Sequence, residues 1–378
     1  MPVNKCRVCG NIFYEEPLLR YENMPKAAQY LPDAESLKHE KGVDLEVFQC
    51  SGCGLVQLNS DPVPYYREVI RAAGVSEAMK EFHVKQFDGF VQNLSIKGRK
   101  VIEIGCGRGE YLSLIEKSGV DAYGLEYSED SVKHCLENGL KVSKGFIENS
   151  KDKLNYAPFD AFIMLNYLEH LPDPNETLRG IYQNLIDGAV GLIEVPNFDM
   201  DLRDGLFYNF VFDHLFYFTQ DSLKTTLTSN GFDIIDCNEI WHNNIISCSV
   251  KKKIKLDISH VINNKVKIQK EIEEYLSLFK NNNVAIWGAS HQAFTVISSL
   301  NITAKIKYVI DSSVFKQGRY TPATHIPIVA PGALNGDPVA AIIVMAAGYS
   351  DEVVRIIRRE FDKHINVAIL RQTGLEII

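Results

Sequence analysis

Two hydrophobic periods run through this chain, and the places where one gives way to the other outline its architecture. From about Ser76 to Val91, Met79, Phe82, Phe87 and Phe90 are spaced to line one face of a helix. Short apolar runs near 100–104, 121–126, 140–143, 159–164 and 189–195 then read as strands, separated by helical patterns near 110–118, 129–137 and 174–185. Such alternation predicts a doubly wound, mostly parallel sheet. A helix near 220–229 and strands near 232–240 and 244–250 complete it, the last two as an antiparallel pair.

From Leu256 to Lys280 the pattern becomes a charged helical run, read as a connecting helix. A second α/β unit follows. Its first strand, Val284 to Trp287, enters the turn Gly288-Ala289-Ser290, and its second, Ile306 to Ile310, ends in Asp311. A third strand near 342–345, a helix from about Asp351 to Phe361 and a last strand near Val367 to Leu370 complete this unit. One glycine turn with an acid 23 residues later fits a nucleotide site or a packed lid equally well. The expected domains are 1–75, 76–255 and 256–378.

At 378 residues, 46% apolar and 23% charged, the chain has the makeup of a globular protein with full cores. Its formal charge of −8 and the absence of a basic stripe argue against nucleic acid or an anionic membrane as partner, because affinity for phosphate comes mostly from clustered Lys and Arg. The N-terminus lacks the apolar core of a signal peptide, and no 18 apolar residues run together, so a cytoplasmic location is expected. Composition leaves the oligomeric state open.

Four of the eight cysteines fall as Cys6-x-x-Cys9 and Cys50-x-x-Cys53, each pair followed by glycine. A C-x-x-C turn sets two thiolates on one side of a knuckle, and two knuckles complete a closed tetrahedral zinc site, which is structural because no coordination position stays open. The rival reading, a redox C-x-x-C, normally opens a helix and does not come as two matched knuckles. Cys106, Cys135, Cys237 and Cys248 read as core or loop thiols.

The stretch Val101-Ile102-Glu103-Ile104-Gly105-Cys106-Gly107-Arg108-Gly109 is a strand running into a glycine-rich turn, with a helix beginning near Tyr111. Glycines at 105, 107 and 109 allow a tight turn and close approach of a ligand at the carboxyl end of the strand. Glu126 closes the next strand, placed to accept from a ribose diol. The glycines alone also fit a structural turn or an NAD site.

Two further features narrow the choice: Glu103 inside the strand, and Asn166-Tyr167-Leu168-Glu169-His170-Leu171-Pro172-Asp173-Pro174 after a later strand. The set resembles the class I S-adenosylmethionine-dependent methyltransferases. The resemblance implies that Gly105, Cys106, Gly107 and Gly109 border the methionine half of the cofactor and that Glu103 supports its amino group through the loop. It also implies that Glu126 and Tyr127 meet the ribose side, that Phe146 and Glu148 border the adenine, and that Asn166 belongs to the same cofactor set.

The order of parts resembles, over essentially the whole chain, the sugar C-methyltransferases that act on nucleotide-linked 4-keto-deoxysugars. It implies a class I methyltransferase Rossmann-like sheet with an N-terminal zinc-ribbon-like module and a second C-terminal Rossmann-like α/β domain. Besides the cysteine and cofactor motifs, Val195-Pro196-Asn197-Phe198 with Asp213-His214-Leu215-Phe216-Tyr217-Phe218-Thr219 carries the likeness, as does the stretch from Lys316 to Ile328. By resemblance His214 is the catalytic base, and Lys316, Arg319, Tyr320 and His325 help to hold the nucleotide-linked sugar.

The chemistry agrees: methylation of carbon requires a proton α to a carbonyl to pass to a base titrating near neutrality, and histidine suits this. Asp213 could not share the side-chain direction of His214 in a strand and is given a supporting role; His170 is read as structural. The chain departs from the family where Val211-Phe212-Asp213-His214 replaces Tyr-His-Glu-His, losing a hydroxyl. Tyr65 or Tyr66 in the connector is the candidate to supply it, with packing over the cofactor mouth as the alternative. The leading expectation is carbon methylation of a nucleotide-activated sugar; the others are O-methylation of a sugar hydroxyl and, outside enzymes, a zinc- and nucleotide-binding adaptor.

Overall fold

A computed structural model describes residues 3–26, 31–68 and 76–378, so the domain boundary expected at residue 75 lies outside the described residues. The chain forms two compact units, Met1–Ile254 and Lys255–Ile378.

In chain order the strands of the first unit are β1 (Leu19–Met24), β2 (Val43–Gln49), β3 (Val56–Leu58), β4 (Lys100–Ile104), β5 (Asp121–Glu126), β6 (Val142–Lys144), β7 (Phe159–Leu165), β8 (Leu185–Pro196), β9 (Phe216–Tyr217), β10 (Phe232–Ile240) and β11 (Ile245–Lys252). Its helices are α1 (Glu77–Asn93), α2 (Glu110–Lys117), α3 (Glu129–Glu137), α4 (Pro174–Gln183), α5 (Phe198–Asp204) and α6 (Gln220–Ser229). Seven strands form one sheet in the order β10-β11-β8-β7-β4-β5-β6, parallel except where β11 pairs antiparallel with β8 and β10. The order reverses between β4 and β7, and open α/β sheets bind ligands outside the carboxyl ends of strands at such a switch point.

Alternation along the strands feeds two cores. Ile102 and Ile104 face one with Phe162 and Met164, while Val101 faces the other with Ala161 and Ile163. Burying one such large aliphatic or aromatic side chain contributes roughly 1.5–3 kcal/mol, which makes the sheet the rigid platform of the unit. The helices start where local chemistry directs: Ser128 and Asp173 accept from the amides of Ser131 and Glu176, and Thr219 and Ser222 form a reciprocal capping pair.

The cysteine segment is continuous with this unit. A four-stranded sheet in the order β1-β2-β3-β9 joins it to the chain beyond His214, and Cys6, Val8, Cys50 and Leu55 share one apolar core with Leu215, Phe216 and Phe218. Sequence periodicity named none of these four strands, and β9, with two residues, is too short to carry a period. The stretch 211–214 is a turn and not the strand expected for Asp213 and His214, so these neighbouring side chains need not diverge.

The second unit consists of α7 (Ser259–Ser277), β12 (Val284–Trp287), α8 (His291–Ser299), β13 (Ile306–Ile310), β14 (Ile328–Val329), α9 (Ala333–Gly336), β15 (Ala341–Val344), α10 (Ser350–Glu360), β16 (Asn366–Arg371) and β17 (Gly374–Ile377). Its sheet runs β14-β13-β12-β15-β16-β17, parallel except for the β16/β17 hairpin. Among the described residues no helix is long and apolar enough to cross a membrane.

Candidate active site

Backbone sterics shape the turn after β4. Gly105 has φ +72°, and a Cβ there would lie 3.0 Å from the Tyr167 ring; Gly109 has φ +82°, and a Cβ there would lie 2.3 Å from Leu140 Cδ1. Both positions demand glycine for conformation and for space. The Glu126 carboxylate accepts from Gly107 N and Ser128 N, each at 2.8 Å. Burial pushes this carboxyl up against the pull of those two amides. Strand, turn and acid are thereby locked together.

Beside the turn opens a cleft lined by Gly105, Tyr127, Gly145, Phe146, Tyr167 and Thr177 among others. Tyr127 and Phe146 meet edge to face, with ring centroids 6.3 Å apart. Glu103 is buried in β4 just ahead of the turn, and Asn166 adopts φ +48° at the end of β7, its amide bonded to Glu194 O at 2.8 Å. The Cys106 side chain packs into the core, its thiol 3.9 Å from Gly107 O, so only its backbone borders the turn.

Three connector residues make long-range contacts. Tyr65 donates its hydroxyl to Asp213 Oδ1 at 2.7 Å. Tyr66 packs edge to face on Phe146 at 5.8 Å, against a ring that lines the cleft. Arg67, which the sequence reading passed over, pairs with Glu148 Oε1 at 2.7 Å. Glu148 is exposed, and this pair engages the carboxylate expected to border adenine.

The Leu-Glu-His segment holds the turn that carries Asp213 and His214. His170 donates Nδ1–H to Asp213 O at 2.8 Å, and Leu215 N donates to Glu169 O at 2.8 Å. The His170 and His214 rings stand edge to face at 4.7 Å, and ligating atoms of Glu169, His170 and His214 all lie within 4.8 Å of one another. Burial, then the neighbouring His170, hold His214 down to about 3, while burial lowers His170 as well. Both imidazoles are therefore neutral in ordinary buffers, and His214 keeps an accessible edge.

Glu169 is fully buried and is pushed up to about 8 by burial. Its folded value lies above its unfolded one, so stability falls as pH rises between about 4.5 and 8, where the unfolded chain ionises and the folded one resists. Glu169→Gln removes that titration. Chemical denaturation at pH 5 and pH 8 should show the variant gaining about 2 to 4 kcal/mol on the wild type over this interval; parallel stability curves for the two proteins would contradict it.

The cysteine knuckles match each other bond for bond. Cys6 N and Cys50 N donate to Asn11 O and Leu55 O at 2.8 and 2.9 Å, and Gly10 N and Gly54 N return to Cys6 O and Cys50 O. The amides of Val8 and Gly52 point at Cys6 Sγ and Cys50 Sγ at 3.4 and 3.3 Å. Cys6 Sγ lies 3.6 Å from Cys53 Sγ, Cys9 Sγ lies 3.3 Å from Cys50 Sγ, and none of the four is in a disulfide. A tetrahedral zinc with bonds of about 2.3 Å needs sulfurs about 3.8 Å apart, so the four thiols fit the ion.

In the second unit, Lys316, Arg319, Tyr320 and His325 lie between β13 and β14. Lys316 Nζ is engaged by Ala289 O and Asp311 Oδ2, both at 2.9 Å, and Arg319 Nε by Phe315 O; Tyr320 is exposed and His325 has φ +52°. The Asp311 carboxylate takes three donors from the chain itself, the amides of Ala289 and Ser313 and the Lys316 ammonium.

Residues 77–236 match a methyltransferase domain family, and residues 260–367 match the C-methyltransferase C-terminal domain. The chain is an S-adenosylmethionine-dependent methyltransferase. It is 22% identical to C-methyltransferase NovU of Streptomyces niveus, over 93% of this chain and 92% of that protein. A ubiquinone biosynthesis O-methyltransferase of Methylococcus capsulatus is 37% identical over only 22% of this chain and 38% of its own length. Among solved structures, an S-adenosylmethionine-dependent methyltransferase from Clostridium acetobutylicum superposes on 50% of this chain and 96% of its own, with a TM-score of 0.39 and 13% identity.

Proposed function

We propose that this methyltransferase transfers a methyl group to the carbon beside the ketone of a nucleotide-linked deoxysugar, with His214 as general base. The observation that carries the reading is the convergence of a phenol, a carboxylate and two neutral imidazoles, from Tyr65, Asp213, His170 and His214, on the turn that follows the cofactor cleft. Bound S-adenosylmethionine supplies an electrophilic methyl on a sulfonium centre, and the open glycine turn, the Glu126 acceptor and the aromatic cleft suit it.

In this reading a ring nitrogen of His214 takes the proton α to the carbonyl, which gives the carbon its nucleophilic pair. Burial keeps this imidazole neutral and able to accept the proton; the same burial makes it a weaker base than the near-neutral one expected from the sequence, which corrects that expectation for the free enzyme. His170, its Nδ1–H held by Asp213 O, keeps the turn and the His214 ring in place. Asp213 orients the Tyr65 hydroxyl. That hydroxyl comes from a different segment than the family's tyrosine, whose position is held by Val211.

Cys6, Cys9, Cys50 and Cys53 are proposed to hold a structural zinc. The second unit, with Lys316, Arg319, Tyr320 and His325, is proposed to hold the nucleotide-linked sugar, supported by its C-methyltransferase C-terminal domain match and by the likeness to NovU along nearly the whole chain.

The test uses a 4-keto nucleotide sugar in deuterium oxide with S-adenosylhomocysteine in place of the methyl donor. A carbon methyltransferase should exchange the α proton for deuterium, followed by NMR. No exchange, together with a product methyl at methoxy chemical shift under turnover conditions, would decide for oxygen.

A further inference from the structure

Arg67 is held in more ways than an exposed ion pair explains. Its guanidinium carbon lies 5.2 Å from the Tyr66 ring centroid, 5.6 Å from that of Tyr127 and 5.3 Å from that of Phe146, while Nη2 pairs with Glu148. Its Nε is buried and makes no hydrogen bond among the described residues. An exposed pair of this kind contributes about 0–1 kcal/mol, too little to account for a long side chain fixed among three rings.

Two of those rings, Tyr127 and Phe146, line the cleft beside the glycine turn, and Tyr127 directly follows Glu126. A guanidinium is a planar, delocalised cation that stacks on aromatic faces, and a purine offers such a face as well as a phenyl ring does. Held by Glu148 on one side and by the rings on the other, this group is already immobilised, so a ligand meeting it loses little further side-chain entropy.

We infer that Arg67 is a cofactor-holding residue, whose guanidinium closes the adenosine end of the cleft. The inference rests on the S-adenosylmethionine reading of that cleft. It adds a residue from outside the sheet, and it gives the connector two duties: Arg67 at the cofactor and Tyr65 at Asp213, two residues apart.

The test is titration calorimetry with S-adenosylhomocysteine and with 5′-methylthioadenosine, which keeps the adenosine and lacks the amino acid. Wild-type protein should bind both, and Glu126→Ala serves as the weakened control; wild-type protein that binds neither would sink the cofactor reading itself. Arg67→Ala should weaken both ligands by about tenfold and by similar factors, and Arg67→Lys, which keeps the charge toward Glu148 and loses the plane, should recover only part of the loss. Given wild-type binding, full affinity in Arg67→Ala would overturn the inference. So would loss confined to S-adenosylhomocysteine, or complete recovery in Arg67→Lys, which would show that the ion pair with Glu148 suffices. The melting temperature of each ligand-free variant, expected within a few degrees of wild type, separates loss of binding from loss of fold; if Arg67→Ala does not fold, Arg67→Gln replaces it.

Discussion

Turnover in His214→Asn is expected to fall by about 10²- to 10⁴-fold, the usual share of a positioned general base, with cofactor affinity unchanged. Asparagine keeps a polar side chain of similar reach and removes the basic nitrogen. His214 lies on a turn held by His170 and by Leu215 N, not within a strand ladder, so the substitution should leave the fold intact. The pH profile adds a second readout. Because burial holds His214 down to about 3, the unprotonated form should persist as pH falls from 7.5 to 5.5, and kcat/KM should show no acid limb near the ordinary histidine value of about 6.5. Methyl incorporation into a nucleotide-linked 4-keto-deoxysugar, followed across this range, measures both effects. Turnover equal to wild type in His214→Asn would move the base elsewhere, first to His170.

Cys50→Ser is expected to abolish metal content and most of the soluble yield. Structural zinc in small modules contributes apparent free energies of order 10 kcal/mol, comparable with the whole stability of a typical domain at about 5–15 kcal/mol. The loss should reach beyond the knuckles, because Cys6 and Cys50 pack in one core with Leu215, Phe216 and Phe218, next to the turn that bears His214. Atomic absorption should find one zinc per wild-type chain and essentially none in the variant, with a lowered melting temperature in whatever protein remains soluble. Folded wild-type protein free of zinc, or a variant that melts like wild type, would contradict the assignment.

Features that arise from neighbouring residues were legible in advance. The switch from period two to period 3.6 marked β4, α2, β5 and α3 within a residue or two, and the glycines at 105 and 109 stand where φ is positive and a Cβ would collide. Matched C-x-x-C-G spacing foretold two knuckles because each closes on its own hydrogen bonds. The turn at 211–214 was misread as strand because the aromatic run Phe216 to Phe218 imitates one; only two of its residues pair, and they do so with β3.

The contacts that make a site of these pieces were not legible. Tyr65 and Asp213 are 148 positions apart, and nothing local to either names the other. Arg67 looked like any connector arginine, and Glu148, expected to border adenine, named no partner, until the fold brought the loop after β6 against the connector. Cys106 sits in the cofactor motif, yet its side chain belongs to the core. Backbone sterics and ligand spacing act within a few residues, so the sequence by itself determined the sheet, the glycine turn and the cysteine knuckles. Which side chains share the cleft depends on sheet order and on which apolar faces are buried together, energies summed over the whole unit, and those only the tertiary structure decided.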